Sequence, residues 1–318
     1  MAFGKVPGNK LVKNTMKNTM EKLFALDIGG THVKYGVVAE NGELNHTEQM
    51  RTLAAEGGER LLARLITLAQ EKCCAEYVGV AISTAGQVNP EDGSIRFATD
   101  NLPGWTGIAL RQRMSEALGK PCSVENDVNA AALGEYWQGA ARGARTALML
   151  TLGTGIGGAI IAGGRLFLGH HGSAGELGHL KLYPGGLPCT CGQSGCYEQY
   201  ASAQALERLI STSAPAITRG APELFLRAEQ GDYQAQRLLQ EWMAQVALGL
   251  SSIVPILDPD VIVLGGAISQ QGSALTAPIE SMVRSQVMPS YRSLTIRAAQ
   301  LQNDAGLLGA AHAFWSQT

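Results

Sequence analysis

The sequence predicts an α/β protein built twice over, as two domains with a central cleft. Three observations carry this. Apolar strand runs alternate with segments of helical periodicity along 318 residues, a length that fits two domains. A strand, a glycine turn and a second strand occur once in each half, at Asp27-Ile28-Gly29-Gly30-Thr31 and at Gly153-Thr154-Gly155-Ile156-Gly157-Gly158. The 39 glycines concentrate in a few such clusters, which points to tight turns beside ligands and not to disorder.

In order along the chain, residues 23–28 are an apolar strand ending at Asp27 and the Gly29-Gly30 turn, and residues 33–38 run back. Bare backbone N–H groups at such a turn can approach an anion. An acid before the turn and Thr31 after it suit phosphate and Mg²⁺, although a plain hairpin has the same backbone. Residues 58–70 read as an amphipathic helix and 77–83 as a buried strand. Residues 101–105 form a loop offering the Asn101 amide and the Trp105 indole to a polyol. Residues 122–124 are a short strand leading to Glu125-Asn126-Asp127, and 128–138 an Ala-rich helix that Asn126 or Asp127 could cap.

The second half opens with strands at 146–152 and 159–162 flanking the second glycine turn. Gly153, Gly155 and Gly158 spell G-x-G-x-x-G, but a dinucleotide fingerprint opens a helix and a strand follows here. Helices are expected over 203–211 and 233–252, the second with a core or subunit-packing stripe of Leu238, Leu239, Trp242, Val246, Leu250 and Ile253. Residues 260–264 are a buried strand stopping at Gly265-Gly266, and 294–298 the last strand. Residues 305–315 are a small-residue helix built for tight packing.

Between these lies a metal-like cluster. Cys189, Cys191 and Cys196 fall within eight residues, and His179 precedes them by ten. One His and three Cys supply the four soft ligands of a closed, structural Zn²⁺ site. Glu176 and Glu198 flank it, so a bound metal would fix where both carboxylates point.

Charge balance, 25 Lys+Arg against 27 Asp+Glu, gives no electrostatic reason to expect nucleic acid or an anionic membrane as partner. No apolar run approaches the length of a membrane span. Residues 1–20 carry Lys5, Lys10, Lys13 and Lys17 without an apolar core, so they read as a disordered leader and not a secretory signal. Free thiols at Cys73, Cys74 and Cys122 beside the cluster fit a reducing, cytoplasmic compartment.

The order of Asp27-Ile28-Gly29-Gly30-Thr31, Glu125-Asn126-Asp127, Leu152-Gly153-Thr154-Gly155, Gly175-Glu176-Leu177-Gly178-His179, the three cysteines and Gly265-Gly266 resembles the repressor–open reading frame–kinase (ROK) family of sugar kinases, over residues 21–315. The resemblance implies an actin-like, hexokinase-type fold. Its small domain would be 21–125 completed by helix 305–318, and its large domain 126–304 with the zinc-binding loop. It implies ATP and phosphate contacts from Asp27, Gly29, Gly30, Thr31, Lys34, Gly153, Thr154, Gly155, Gly265 and Gly266, with Mg²⁺ near Asp27. It implies a sugar site of Asn101, Asn126, Asp127, Glu176, His179 and Glu198, a zinc site of His179, Cys189, Cys191 and Cys196, and a homodimer. Two departures stand out. Ser83-Thr84-Ala85-Gly86 replaces the Ala-Pro-Gly common among family kinases, and the winged helix-turn-helix of family repressors has no counterpart in residues 1–20.

The expected activity is transfer of the γ-phosphate of ATP to a hexose hydroxyl, most simply O6, with Asp127 as base. Its place at a helix N-terminus predicts a lowered pKa. Glucose, mannose, fructose, N-acetylmannosamine and β-glucosides all fit as acceptors. The rivals are a sugar-responsive regulator without turnover, and a zinc hydrolase, which four protein ligands would leave without an open metal position.

Overall fold

The computed structural model describes residues 20–316. The leader expected over 1–20 therefore lies, but for Met20, outside the described residues. The first half runs β1 (Lys22–Ile28), β2 (His32–Ala39), β3 (Leu44–Arg51), α1 (Gly58–Lys72), β4 (Gly79–Thr84), β5 (Gln87–Val88), β6 (Ile95–Phe97), α2 (Leu110–Leu118), β7 (Cys122–Asn126) and α3 (Asp127–Gln138). The second runs β8 (Thr146–Leu152), β9 (Ile156–Ala162), β10 (Arg165–Leu166), α4 (Glu198–Ala201), α5 (Ala203–Ser213), α6 (Gly220–Glu229), α7 (Tyr233–Leu257), β11 (Val261–Gly265), α8 (Ser273–Gln286), β12 (Thr295–Ala298) and α9 (Ala305–Trp315).

Two five-stranded mixed sheets result, ordered β3-β2-β1-β4-β7 and β10-β9-β8-β11-β12. In each, an antiparallel hairpin supplies one side and parallel strands the other. Strand β4 is buried along its whole length, as an inner strand covered on both faces must be. Strand β3, polar and mostly exposed, forms an edge.

One face of the first sheet packs on α1, α2 and the fully buried Trp105. Its other face, through Leu23, Ala25, Val38 and Ala81, meets Leu307, Leu308, Ala311 and Phe314 of α9. The second sheet buries Leu148, Leu150 and Leu152 against the large helical layer that includes α7, whose expected stripe is core. Its other face, through Ala147, Met149 and Ile161, meets Ala132 of α3. Helices α3 and α9 thus lie between the sheets, and small residues let them touch. A Cβ on Gly309 would stand 1.6 Å from the Ala130 carbonyl oxygen, and one on Gly134 2.4 Å from that of Ala305. This is the tight packing that the composition of 305–315 predicts.

Candidate active site

The two hairpin turns face a cleft of about 670 Å³. Gly29, Gly30 and Thr31 line it from the first turn and Thr154 from the second, with Asn101, Asn126, Asp127, Glu176 and His179 around them. Most of the residues expected at a sugar and phosphate site are therefore brought together. Gln87, Phe97 and Thr99 also line the cleft, and no motif singled them out.

Asp127 opens α3, where its Oδ1 accepts from Val128 N and from Asn126 Nδ2, both at 2.9 Å. Burial nonetheless pushes its carboxyl up to about 6, the nearby Asp27 charge adds to this, and the hydrogen bonds only partly oppose it. The expected lowering is thus overturned: desolvation outweighs the helix terminus. The raised value suits a base better, because proton acceptance is most efficient near the working pH.

Asn126 caps α3, its Oδ1 accepting from Val128 N at 2.9 Å and Asn129 N at 3.1 Å. Its Nδ2 donates to the Gly86 carbonyl and to Asp127, both at 2.9 Å. Two donors and two acceptor sites exhaust an amide. In this arrangement Asn126 holds Asp127 and the Gly86 turn in place.

Asp27 lies behind the first turn, its Oδ1 accepting from Ser83 Oγ at 2.6 Å. Burial raises its pKa against the opposing effects of that bond and of Lys34. A Cβ on Gly306 would sit 2.6 Å from its carboxyl carbon, so glycine there lets the start of α9 close over it. Asp27, Gly29 and Lys34 line a separate opening of about 310 Å³ on the outer side of the turn. Lys34 is paired with Asp304 and donates to the Asn303 carbonyl at 3.1 Å, so it points away from the main cleft.

One other expectation changes, and the expected residues Gly265, Gly266 and Glu198 stand outside the lining of the cleft. The Trp105 indole is unavailable to a polyol: the residue is fully buried and its Nε1 donates to Thr84 Oγ1 at 3.0 Å. Gly265 and Gly266 are not among the residues lining the cleft. Gly266 has φ +85°, and a Cβ on it would be 2.3 Å from the Leu152 carbonyl oxygen, so it serves close backbone contact beneath the second turn. Glu198 also stands behind the cleft wall, accepting from Ile156 N at 3.4 Å and from the Cys189 thiol at 2.9 Å. It touches the second glycine turn on one side and the cysteine cluster on the other.

His179, Cys189, Cys191 and Cys196 bring their ligand atoms within 4.8 Å of one another. The Cys191–Cys196 sulfur separation is 3.7 Å, against roughly 3.8 Å for two thiolates on a tetrahedral zinc at ~2.3 Å. The donor set and spacing fit Zn²⁺. His179 also lines the cleft, so this residue joins the cluster to the site. All six cysteines are free thiols.

Residues 23–317 match the ROK family. The chain belongs to that family. The glucokinase of Thermotoga maritima is 36% identical over 307 residues, covering 91% of this chain and 96% of that protein. A ROK hexokinase structure from Thermus thermophilus superposes with a TM-score of 0.80 at 37% identity, covering 93% and 98%. A ROK glucokinase from Streptomyces griseus, in complex with glucose and AMPPNP, gives 0.77 at 32%, covering 92% and 98%. The fold is thus the actin-like, hexokinase-type fold, and this ROK protein stands among sugar kinases. More distant relatives differ in sugar: a β-glucoside kinase of Listeria innocua at 32% identity and an N-acetyl-D-glucosamine kinase of Erwinia tasmaniensis at 31%. No helix among the described residues is long and apolar enough to cross a membrane.

Proposed function

We propose that this ROK protein is an ATP-dependent hexose kinase of the glucokinase type, transferring the γ-phosphate to a sugar hydroxyl, with O6 the first choice. The observation that carries the reading is the buried Asp127 carboxyl, raised to about 6, in a cleft lined by Gly29, Gly30 and Thr31 of one hairpin turn and by Thr154 of the other. Glucose comes first because the 36% identical relatives include glucokinases, ahead of the other specificities.

Phosphoryl transfer asks mainly for positioning and charge neutralisation. Asp127 would take the proton of the attacking hydroxyl as the bond to phosphorus forms. Asn101, Glu176 and His179 would hold the sugar, and Glu198 would hold the second turn from behind. Backbone N–H groups of Gly29, Gly30, Thr31 and of Gly153, Thr154, Gly155 would face the phosphates. Mg²⁺, carried by ATP with Asp27 as outer support, would neutralise phosphate charge. Zn²⁺ on His179 and the three cysteines would be structural, fixing the segment that presents Glu176 and Glu198. The free thiols support a cytoplasmic location. The domain division at 125/126, with 305–318 completing the small domain, and a homodimer belong to the same reading.

The test is ADP release with glucose, mannose, fructose, N-acetylmannosamine, N-acetylglucosamine and a β-glucoside, followed by NMR of the product to locate the phosphate. Turnover with glucose to the 6-phosphate is expected. Release no higher than background with every sugar overturns the reading.

A further inference from the structure

A second chamber, of about 90 Å³, lies beside the cleft. Gln87, Asn126 and Glu176 line both spaces, so they form the wall between them. One hydrogen bond closes that wall, Gln87 Nε2 to Glu176 Oε1 at 2.9 Å. Its two sides belong to different halves of the fold: Gln87 starts β5, and Glu176 follows β10 of the second sheet. The same two segments meet again where Arg96 donates to the His171 carbonyl and where Pro90 abuts Gly172. The wall is thus braced beyond its single closing bond.

The chamber behind it is mixed, with Val88, Val124, Val128 and Leu168 along its apolar side and Glu125, Asn129 and Ser173 along its polar side. Glu125 lines it, with Oε1 accepting from Asn126 N and Asn129 Nδ2, both at 2.9 Å. Oε2 has no protein donor among the described residues. Asn129 lines the chamber as well. The volume suits about three waters at ~30 Å³ each. That is the scale of a group of a few heavy atoms and too small for a second sugar ring.

We propose that Gln87 is a specificity-determining residue: its side chain shuts this chamber against hexoses bearing a small substituent, such as an acetamido group, on the carbon facing Glu176. The cleft is thereby kept for unsubstituted hexoses. The inference rests on the hexose-kinase reading. A sugar held by Glu176 would direct the substituent on the carbon nearest that carboxylate at the wall, of which Glu176 is part. To enter, that substituent must displace the Gln87 amide from its carboxylate acceptor. With the amide gone, the substituent reaches a chamber whose free Glu125 oxygen can accept its N–H.

The test compares wild type with Gln87→Ala and the one-methylene-shorter Gln87→Asn. For each, kcat/KM is measured with glucose and with N-acetylglucosamine, and binding of each sugar without ATP is followed by calorimetry. The ratio of N-acetylglucosamine to glucose is expected to rise about tenfold or more in Gln87→Ala, within the span that pocket contacts command, and less in Gln87→Asn. A purely structural defect lowers both substrates alike and leaves the ratio fixed. An unchanged ratio in both variants, with glucose turnover retained, overturns the proposal, as does a wild type that already prefers the acetamido sugar. If wild type neither binds nor phosphorylates either sugar, the hexose-kinase reading itself has failed and this inference falls with it. Gln87 is only half-buried, so the variants should fold, and a melting curve for each checks that.

Discussion

In the first sheet the central strand β1 is antiparallel to β2 and parallel to β4; in the second, β8 is antiparallel to β9 and parallel to β11. Each hairpin turns through three residues, Gly29-Gly30-Thr31 in one and Gly153-Thr154-Gly155 in the other. One residue before the end of the incoming strand stands Asp27 in the first and Thr151 in the second. Across from these, on the parallel neighbour, stand Ser83 and Gly265. The backbone device is duplicated, but its charge is not. The Asp27 carboxyl is buried against Ser83 at 2.6 Å, while the Thr151 hydroxyl merely returns to the Gly157 carbonyl at 3.4 Å. Asp127 also follows the first sheet, leaving β7. Both turns can offer N–H groups to phosphate, whereas the two buried carboxylates, Asp27 and Asp127, stand on one side only.

The sharpest way to break this asymmetry is Asp127→Asn. Removing a general base typically costs ~10²–10⁴-fold, so kcat should fall by that much while sugar still binds. A variant keeping more than a tenth of wild-type kcat would leave Asp127 as a cap only. The same carboxyl sets a pH limb. With a folded value of about 6, kcat/KM should drop roughly tenfold per pH unit below about 6, where an unperturbed aspartate would place the limb near 4.

Stability moves the other way. The folded carboxyl, at about 6, holds its proton more tightly than the open chain at 3.8. Its contribution is therefore fully present below about 3.8 and lost as pH rises through about 6. Asp127→Asn should stabilise the fold at pH 7 by up to roughly 3 kcal/mol, a gain that vanishes below pH 4. Urea unfolding at the two pH values measures it.

Next in size is the matched pair Asp27→Asn and Thr151→Ala. Loss of a preorganised electrostatic group costs roughly 10²–10³ in kcat, and that is expected at Asp27. Thr151→Ala should change kcat by less than about threefold, since its hydroxyl makes one long bond and carries no charge. Equal losses at the two positions would mean that the halves share the chemistry.

Only the second half has the cysteine cluster, and Cys191→Ser tests what it stabilises. Zinc content should fall from one per chain, and melting temperature and sugar affinity should fall with it, by an amount on the order of several kcal/mol in stability. Mg²⁺ should not restore a chelator-stripped protein, because it prefers hard oxygen ligands. Glu198, two residues after Cys196 and accepting from Ile156 N at 3.4 Å, gives the cluster a route to the second turn. ATP affinity should therefore weaken as well. Zinc absent from protein purified without chelator would remove the basis of this expectation.

The duplicated device was legible because its parts are local: a strand run, then glycines, then a second run. The strand 146–152 and the helix 305–315 are legible at their observed bounds for the same reason. Helices α6 and α8 are not, because neither has a side-chain cap and α8 contains Pro278, a residue that ordinarily signals a helix end. Side-chain roles were less legible than backbone. Whether Asn126 has hydrogen-bonding capacity to spare depends on Gly86, which is distant in sequence. Trp105 looked like a free donor because Thr84, its partner, is also distant. The Asp127 pKa depends on burial in the folded chain and on Asp27, which is distant in sequence, and no helix-terminus argument contains either. Gln87 lies on a two-residue strand and meets Glu176 only in the folded chain.

The smallest effect sharpens the comparison at the turns themselves. Gly153 has no neighbour within 4 Å of where a Cβ would stand and needs no positive φ, whereas a Cβ on Gly29 would meet the His32 carbonyl oxygen at 3.2 Å. Gly153→Ala should therefore melt like wild type, within about 0.5 kcal/mol. Gly29→Ala must push on backbone and should cost about 1 kcal/mol, the middle of the range for single substitutions. If the open space above Gly153 is where phosphate approaches the backbone, the added methyl stands in that approach. Gly153→Ala should then raise the KM for ATP severalfold with sugar KM unchanged. An unchanged ATP KM would mean that the second turn keeps the shape of a phosphate loop while the first does the binding.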